Sequence, residues 1–244
     1  MSIEIILTIS IAIFVIAMLY SSVGHAGASG YIAIMTLFGL ASEVIKPAAL
    51  LLNIFVASIT TFQFWQAGHF SWKIFWPFAI TSIPFAFLGG YLNLPTQIFK
   101  IIIGIVLLYS ALQFFIHSKE EKISYLPNKP IAITTGAGLG FLSGLTGVGG
   151  GIFLTPLLIL MKWSKTKTAA AVSALFILVN SLSGLLGNIT STKQLPLFTI
   201  PFVIAVIIGG SLGSYLGSRR FSPLLIKRLL AIVLIFAGIK LIFT

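Results

Sequence analysis

Apolar residues run almost unbroken along this 244-residue chain, separated by short polar or glycine-rich stretches. Long apolar runs occupy residues 3–22, 47–66, 72–92, 97–117, 130–146, 168–188, 196–216 and 222–243. A helix needs about 20 such residues to cross the hydrocarbon core of a bilayer, so these runs predict membrane-spanning helices. Two shorter runs, 29–40 and 150–161, each follow a break of small residues: SSVGHAGASG (21–30) and SGLTGVGGG (143–151). At about 1.5 Å per residue, neither short run spans the full hydrocarbon thickness. The pattern predicts an all-α polytopic membrane protein with two short, broken helices.

Composition supports a lipid solvent. Hydrophobic residues make up 58% of the chain, charged residues only 8%, and the mean hydropathy is +1.11. A soluble domain carries about 25% charged residues. The net charge of +11 comes from 15 Lys and Arg against four Glu. The basic residues stand singly or in short groups between apolar runs, as topology signals do, and form no clustered face for nucleic acid. Cysteine is absent, which excludes disulfides and thiolate sites. The first 20 residues carry Glu4 and no basic n-region, so they read as a retained membrane segment. Neither a Cys/His metal-ligand spacing, nor a carboxylate pair within the membrane, nor a phosphate loop is present. We therefore expect no enzyme activity, cofactor or metal.

The chain repeats itself. FAITSIPFAFLGGYL (78–92) aligns with FVIAVIIGGSLGSYL (202–216), and KIIIGIVLLYSAL (100–112) echoes KRLLAIVLIFAGI (227–239). The glycine breaks fall at corresponding places. This predicts a first membrane repeat over 1–117, a cytoplasmic linker over 118–129 and a second repeat over 130–244. If each short run crosses, each half has five segments, and the odd number inverts the second half. Eleven basic residues then share one side: Lys73, Lys119, Lys122, Lys129, Lys162, Lys165, Lys167, Arg219, Arg220, Lys227 and Arg228. Four lie opposite: Lys46, Lys100, Lys193 and Lys240. If the short runs are instead re-entrant, Lys73, Lys119, Lys122, Lys129, Lys193 and Lys240 stand against the other nine; the stronger bias favours crossing, with the linker in the cytoplasm and both termini outside. A reporter fused after Thr244 that is active only in the cytoplasm would refute this orientation.

GLTGVGGGIFLTPLLIL (144–160), SALFILVNSLSGLLG (173–187) and GGSLGSYLGSRR (209–220) resemble, in order, the motifs of the sulfite exporter TauE/SafE family, also called toluene-sulfonate uptake permeases. In the first half VGHAGASGY (23–31) stands where that family has a further run of glycines, which puts His25 and Ser29 in glycine-like positions. The resemblance implies a multi-pass carrier of small sulfur-containing or organic anions, moved with or against protons. It further implies location in the inner (plasma) membrane of a bacterial cell. An anion channel, or a membrane-embedded enzyme or accessory subunit of a sulfur pathway, is the alternative. A homodimer would be ordinary, and nothing in the sequence specifies one.

The residues support an anion on their own terms. A glycine-rich break frees backbone N–H groups, and within hydrocarbon these need protein, water or a ligand as acceptor. The helices that follow point their positive ends at the breaks. The candidate substrate-binding residues are Ser21, Ser22, Gly24, His25, Gly27 and Ser29 in the first break. In the second they are Ser143, Thr146, Gly147, Gly149, Gly150 and Gly151. Asn53 and Asn180, lone amides in apolar helices, either line the site or bond helix to helix. His25 is also the proton-coupling candidate, since an ionisable group inside a membrane is by default functional. The competing reading is structural: break glycines that only permit close packing, and an imidazole bonded to a carbonyl. For Gly89, Gly90, Gly209, Gly210 and Gly213 packing is the expected role. Gln63 reads as structural, Trp65, Trp72, Trp76 and Trp163 as interface anchors, and His69 and His117 as loop-edge residues without clear signal.

Overall fold

Leu7, Ile11 and Val15 face outward on the first helix, while Ile9, Ile13 and Ala17 are buried on its other side. A helix apolar on both faces has lipid on one of them. This holds along a computed structural model that describes residues 3–92, 105, 107–109, 111–112, 125–193 and 199–243, with the side chains of 42, 43 and 241 left aside. The described helices are α1 (Ile3–Ser22), α2 (Ala28–Leu37), α3 (Ser42–Gln66), α4 (Trp72–Tyr91) and α5 (Lys129–Thr146). They continue with α6 (Gly151–Leu160), α7 (Thr166–Thr192), α8 (Ile200–Tyr215) and α9 (Pro223–Phe243). A π-helical turn, Leu216–Arg220, extends α8. Among the described residues, five helical stretches are long and apolar enough to cross a membrane. The chain is an all-α polytopic membrane protein, as the hydropathy pattern predicts. Most of the 97–117 run, most of the linker and His117 lie outside the described residues.

Two parallel helix pairs carry the packing. On α5, Gly136, Gly140 and Gly144 lie against the main-chain carbonyls of Phe78, Ser82 and Ala86 on α4. At the end of α8, Gly209, Gly213 and Gly217 lie likewise against the carbonyls of Phe14, Met18 and Ser22 on α1. Both seams advance four residues at a time on both helices. Hydrophobic burial offers no advantage over lipid contact, so close backbone approach of this kind drives helix association. Gly89 and Gly90 of α4 join the first seam, the latter against the Gly184 carbonyl of α7, and Gly210 meets the Val56 side chain of α3. The expected packing role of these glycines matches their positions. Between the seams, α3 and α7 pack on each other, α3 also reaching α8 and α7 reaching α4.

Two further expectations meet the structure here. Gln63 donates to the Ser211 carbonyl of α8 at 3.1 Å, a structural tie. Trp65, Trp72 and Trp76 are half-exposed, as interface anchors are. Trp163 is not: it is buried against Phe78, with ring centroids 6.2 Å apart. The turn after α6 folds it in among Ile74, Phe75 and Phe78 of α4, Leu154 and Leu158 of α6 and Ala169, Val172 and Phe176 of α7, so protein surrounds it rather than headgroups.

Candidate functional site

Both breaks are places where the helical hydrogen-bond ladder stops. In the first, the His25 N–H bonds back to the Tyr20 carbonyl at 2.9 Å, and the next main-chain bond runs from the Gly30 N–H to the Gly27 carbonyl at 2.9 Å. The N–H groups of Ala26, Gly27, Ala28 and Ser29 fall in between. In the second, the Gly147 N–H closes α5 on the Ser143 carbonyl at 3.0 Å, and the Val148 N–H reaches Thr146 Oγ1 at 3.4 Å. The ladder resumes with the Phe153 N–H on the Gly150 carbonyl at 3.1 Å. Here Gly149, Gly150, Gly151 and Ile152 supply the intervening donors. Each run of four sits at the N-terminus of a ten-residue helix, α2 or α6, which adds its positive end.

Gly149 and Gly150 occupy successive left-handed conformations, with φ of +86° and +79°. Residues with a Cβ rarely adopt this region. Gly150 is the N-cap of α6 and provides no side-chain cap, so the helix end is left open to other acceptors. Gly27 caps α2 in the same manner.

Side chains from three helices close around the second break. Asn53 of α3 donates from Nδ2 to the Val148 carbonyl at 3.3 Å and to Ser181 Oγ at 3.4 Å. Ser181 and Ser173 of α7 and Ser143 of α5 are fully buried. Ser143 Oγ, Ser173 Oγ and Asn53 Oδ1 have no hydrogen-bond partner among the described residues. Buried hydroxyl and amide groups are costly when unpaired, and they cluster here beside N–H groups that have no main-chain acceptor among the described residues.

His25 ties the two breaks together. Its Nε2 lies 2.9 Å from Thr155 Oγ1 on α6, while Nδ1 is buried and unpartnered among the described residues. The first break has its own supports. Tyr20 Oη and Ser29 Oγ are 2.9 Å apart, Tyr31 Oη donates to the Ala26 carbonyl at 2.5 Å, and Lys240 Nζ donates to the Ser29 carbonyl at 3.0 Å. Gly24 packs against the Ala170 main chain of α7.

Not every expected residue offers a free donor. Ser21, Ser22 and Thr146 spend their hydroxyl protons on the carbonyls of Met18, Leu19 and Leu142. Asn180 donates to its own helix at the Phe176 carbonyl, which is neither a bond between helices nor a contact with the breaks. Three partners escaped sequence reasoning: Thr155, Ser173 and Ser181. Ser173, Ile177 and Ser181 follow four-residue spacing on one face of α7, a signal that could have found them. Thr155 stands four residues after Gly151 and is paired with a residue 130 positions away, beyond any local pattern.

The local charge is neutral or positive. Glu4 is exposed at the far end of α1. Among the described residues no group of three His, Cys, Asp or Glu gathers to hold a metal ion. The chemistry of the breaks is donation of hydrogen bonds from N–H, hydroxyl, amide and imidazole groups, which suits an oxyanion.

Comparison with known proteins agrees with this architecture. The sequence model described as sulfite exporter TauE/SafE matches residues 9–241. A probable membrane transporter protein of Sinorhizobium fredii is 41% identical over 239 residues, covering 96% of this chain and 97% of that one. One from Methanocaldococcus jannaschii is 29% identical over 196 residues, covering 74% and 72%. One from Bacillus subtilis is 25% identical over 222 residues, covering 82% and 81%. No solved structure matches. With two glycine breaks in a helical membrane scaffold and a family match over nearly its whole length, this chain is a membrane transporter protein and belongs to the sulfite exporter TauE/SafE family.

Proposed function

We propose that the protein is a secondary carrier in the bacterial inner membrane that binds a small oxyanion between its two breaks and moves it by alternating access. The observation that carries this reading is the pair of four-residue N–H runs, each at the start of a short helix, linked through His25 and Thr155. Buried donors without acceptors are tolerated in a membrane only where a ligand or water meets them. Family membership favours sulfite, a sulfonate or a related sulfur-containing or organic anion. The coupling ion is the proton, and His25 is its carrier.

The halves 1–117 and 130–244, joined by a cytoplasmic linker, act as inverted repeats in this mechanism. Supporting this, the first helix of each half lies along the fourth helix of the other: α1 along α8, and α5 along α4. The glycine seams repeat in the same relation. Such a scaffold rocks around a site held near the midplane.

The test is a thermal-shift screen of the purified protein against anions of fixed charge, with chloride as control. A ligand at 100 times its dissociation constant adds about 2.7 kcal/mol of stability. At least one oxyanion is expected to stabilise the protein and to enter proteoliposomes that contain it. With the proton as coupling ion, binding strengthens as pH falls, and His25→Gln flattens that dependence by linkage. Stabilisation by no oxyanion, together with no uptake, would overturn the reading. A pH profile unchanged in His25→Gln would remove the proton from it.

A further inference from the structure

Lys46 is a cation within a membrane-spanning helix, and nothing above uses it. It lies near the start of α3, and its stem packs against Gly147, where the second break begins. Its ammonium donates to the carbonyls of Gly89, Gly90 and Leu92 at 3.3, 3.2 and 3.3 Å, at the C-terminal end of α4. All three acceptors are neutral carbonyls, which a charged oxyanion can outcompete. Asn53, whose amide holds the Val148 carbonyl, is seven residues further along α3. Seven residues are two helical turns, about 10 Å, on the same face. The stripe from Lys46 to Asn53 thus runs along the second break, from the membrane-edge end of α3 to the run of free N–H groups.

At the corresponding contact the first break has Ala170 against Gly24 in place of a lysine, and its cation, Lys240, instead donates to the Ser29 carbonyl within that break. Lys46 therefore serves the second break alone. A lysine at a helix C-terminus also has a structural use, since it complements the helix dipole. That use alone does not require the stem to lie on the first glycine of the second break, nor a stripe shared with the amide that shapes it.

We propose that Lys46 is the entry cation of the second break: its ammonium leaves the α4 carbonyls for an incoming oxyanion and sets the preference for divalent over monovalent anions. This rests on the anion-carrier reading and assigns charge selection to one residue of that site. The bound anion exchanges one set of hydrogen bonds for another, with no covalent step.

Isothermal titration of the detergent-purified protein with selenate (divalent) and benzenesulfonate (monovalent) separates the roles. Lys46→Gln keeps a donor for the α4 carbonyls and loses the charge. It is expected to weaken selenate binding by about tenfold or more, and benzenesulfonate binding by a clearly smaller factor. Lys46→Arg is expected to keep the selenate preference. A purely structural lysine predicts equal losses for both anions, or none, and either result overturns the proposal. If Lys46→Gln does not fold, the same ratio in Lys46→Met decides. Wild-type protein that binds neither anion would overturn the carrier reading itself. Wild-type binding with an unchanged anion ratio in the variants would overturn only the role of Lys46.

Discussion

Gly149→Leu is expected to abolish anion binding. The residue has φ +86°, and a Cβ there would stand 2.8 Å from Asn53 Nδ2 and Ile177 and 3.0 Å from Ser181 Oγ. A leucine must expel the Asn53 amide from the Val148 carbonyl and fill the space where the Gly149–Ile152 N–H groups meet a ligand. It also adds the strain of a left-handed non-glycine residue, about 1–2 kcal/mol. We expect affinity to fall by about a hundredfold or more, equivalent to ~2.7 kcal/mol. The anion-induced thermal shift should disappear while helical content by circular dichroism is retained. Gly138→Ala is the control, because an added Cβ at that helical position meets nothing within 4 Å. Normal anion binding by Gly149→Leu would return the second break to a packing role.

Gly144→Leu is expected to prevent folding altogether. At this position a Cβ would drive into the Ala86 carbonyl and stand 2.6 Å from the Gly90 main-chain nitrogen. Both obstacles are backbone, so no side chain can rotate away. The helices α4 and α5 would have to separate along the whole seam of Gly136, Gly140 and Gly144. Overpacking in a well-filled core costs roughly 1–3 kcal/mol even where side chains can yield, and more is expected here. Measured as monodisperse protein after extraction, the yield should be near zero. Gly144→Ala carries the same Cβ against the same backbone, so its yield should also fall well below wild type, and any protein that accumulates should have a lowered midpoint of thermal unfolding. A Gly144→Leu protein that is folded and as stable as wild type would show that the seam does not hold the two helices together.

The sequence made some of this legible and hid the rest for physical reasons. The spans α1, α3, α4 and α7 were readable because lipid demands long apolar runs, and no other solvent does. The breaks were readable because glycines so dense in an apolar chain mark a special backbone. The helix starts, Ala28 and Gly151, fall within one residue of the expected positions. The α7 helix runs to Thr192, beyond the apolar limit at 188, with the Thr190 and Thr192 hydroxyls bonded back to the Leu186 and Asn188 carbonyls, and ends only at left-handed Lys193. The partners across the breaks were hidden. Asn53 meets Val148 across 95 positions, and His25 meets Thr155 across 130. Such pairs follow from how α3, α6 and α7 converge, which no local period encodes. Lys46 was counted as a topology charge because its stem contact with Gly147 exists only once α3 lies beside the second break. Trp163 was misread because a tryptophan at a helix end is an interface anchor only where no neighbouring helix covers the ring, and α4 and α7 cover this one.

The central claim is that an oxyanion rests on the free N–H groups of the two breaks. Anomalous X-ray diffraction from crystals grown with selenate tests it most directly, since selenium marks the anion without reference to its neighbours. The account predicts an anomalous peak whose oxygens lie about 3 Å from the N–H groups of Gly149–Ile152, with His25 and Asn53 bordering it. Selenium found only at surface lysines such as Lys162 and Lys165, with the breaks empty in protein that transports selenate, would contradict it.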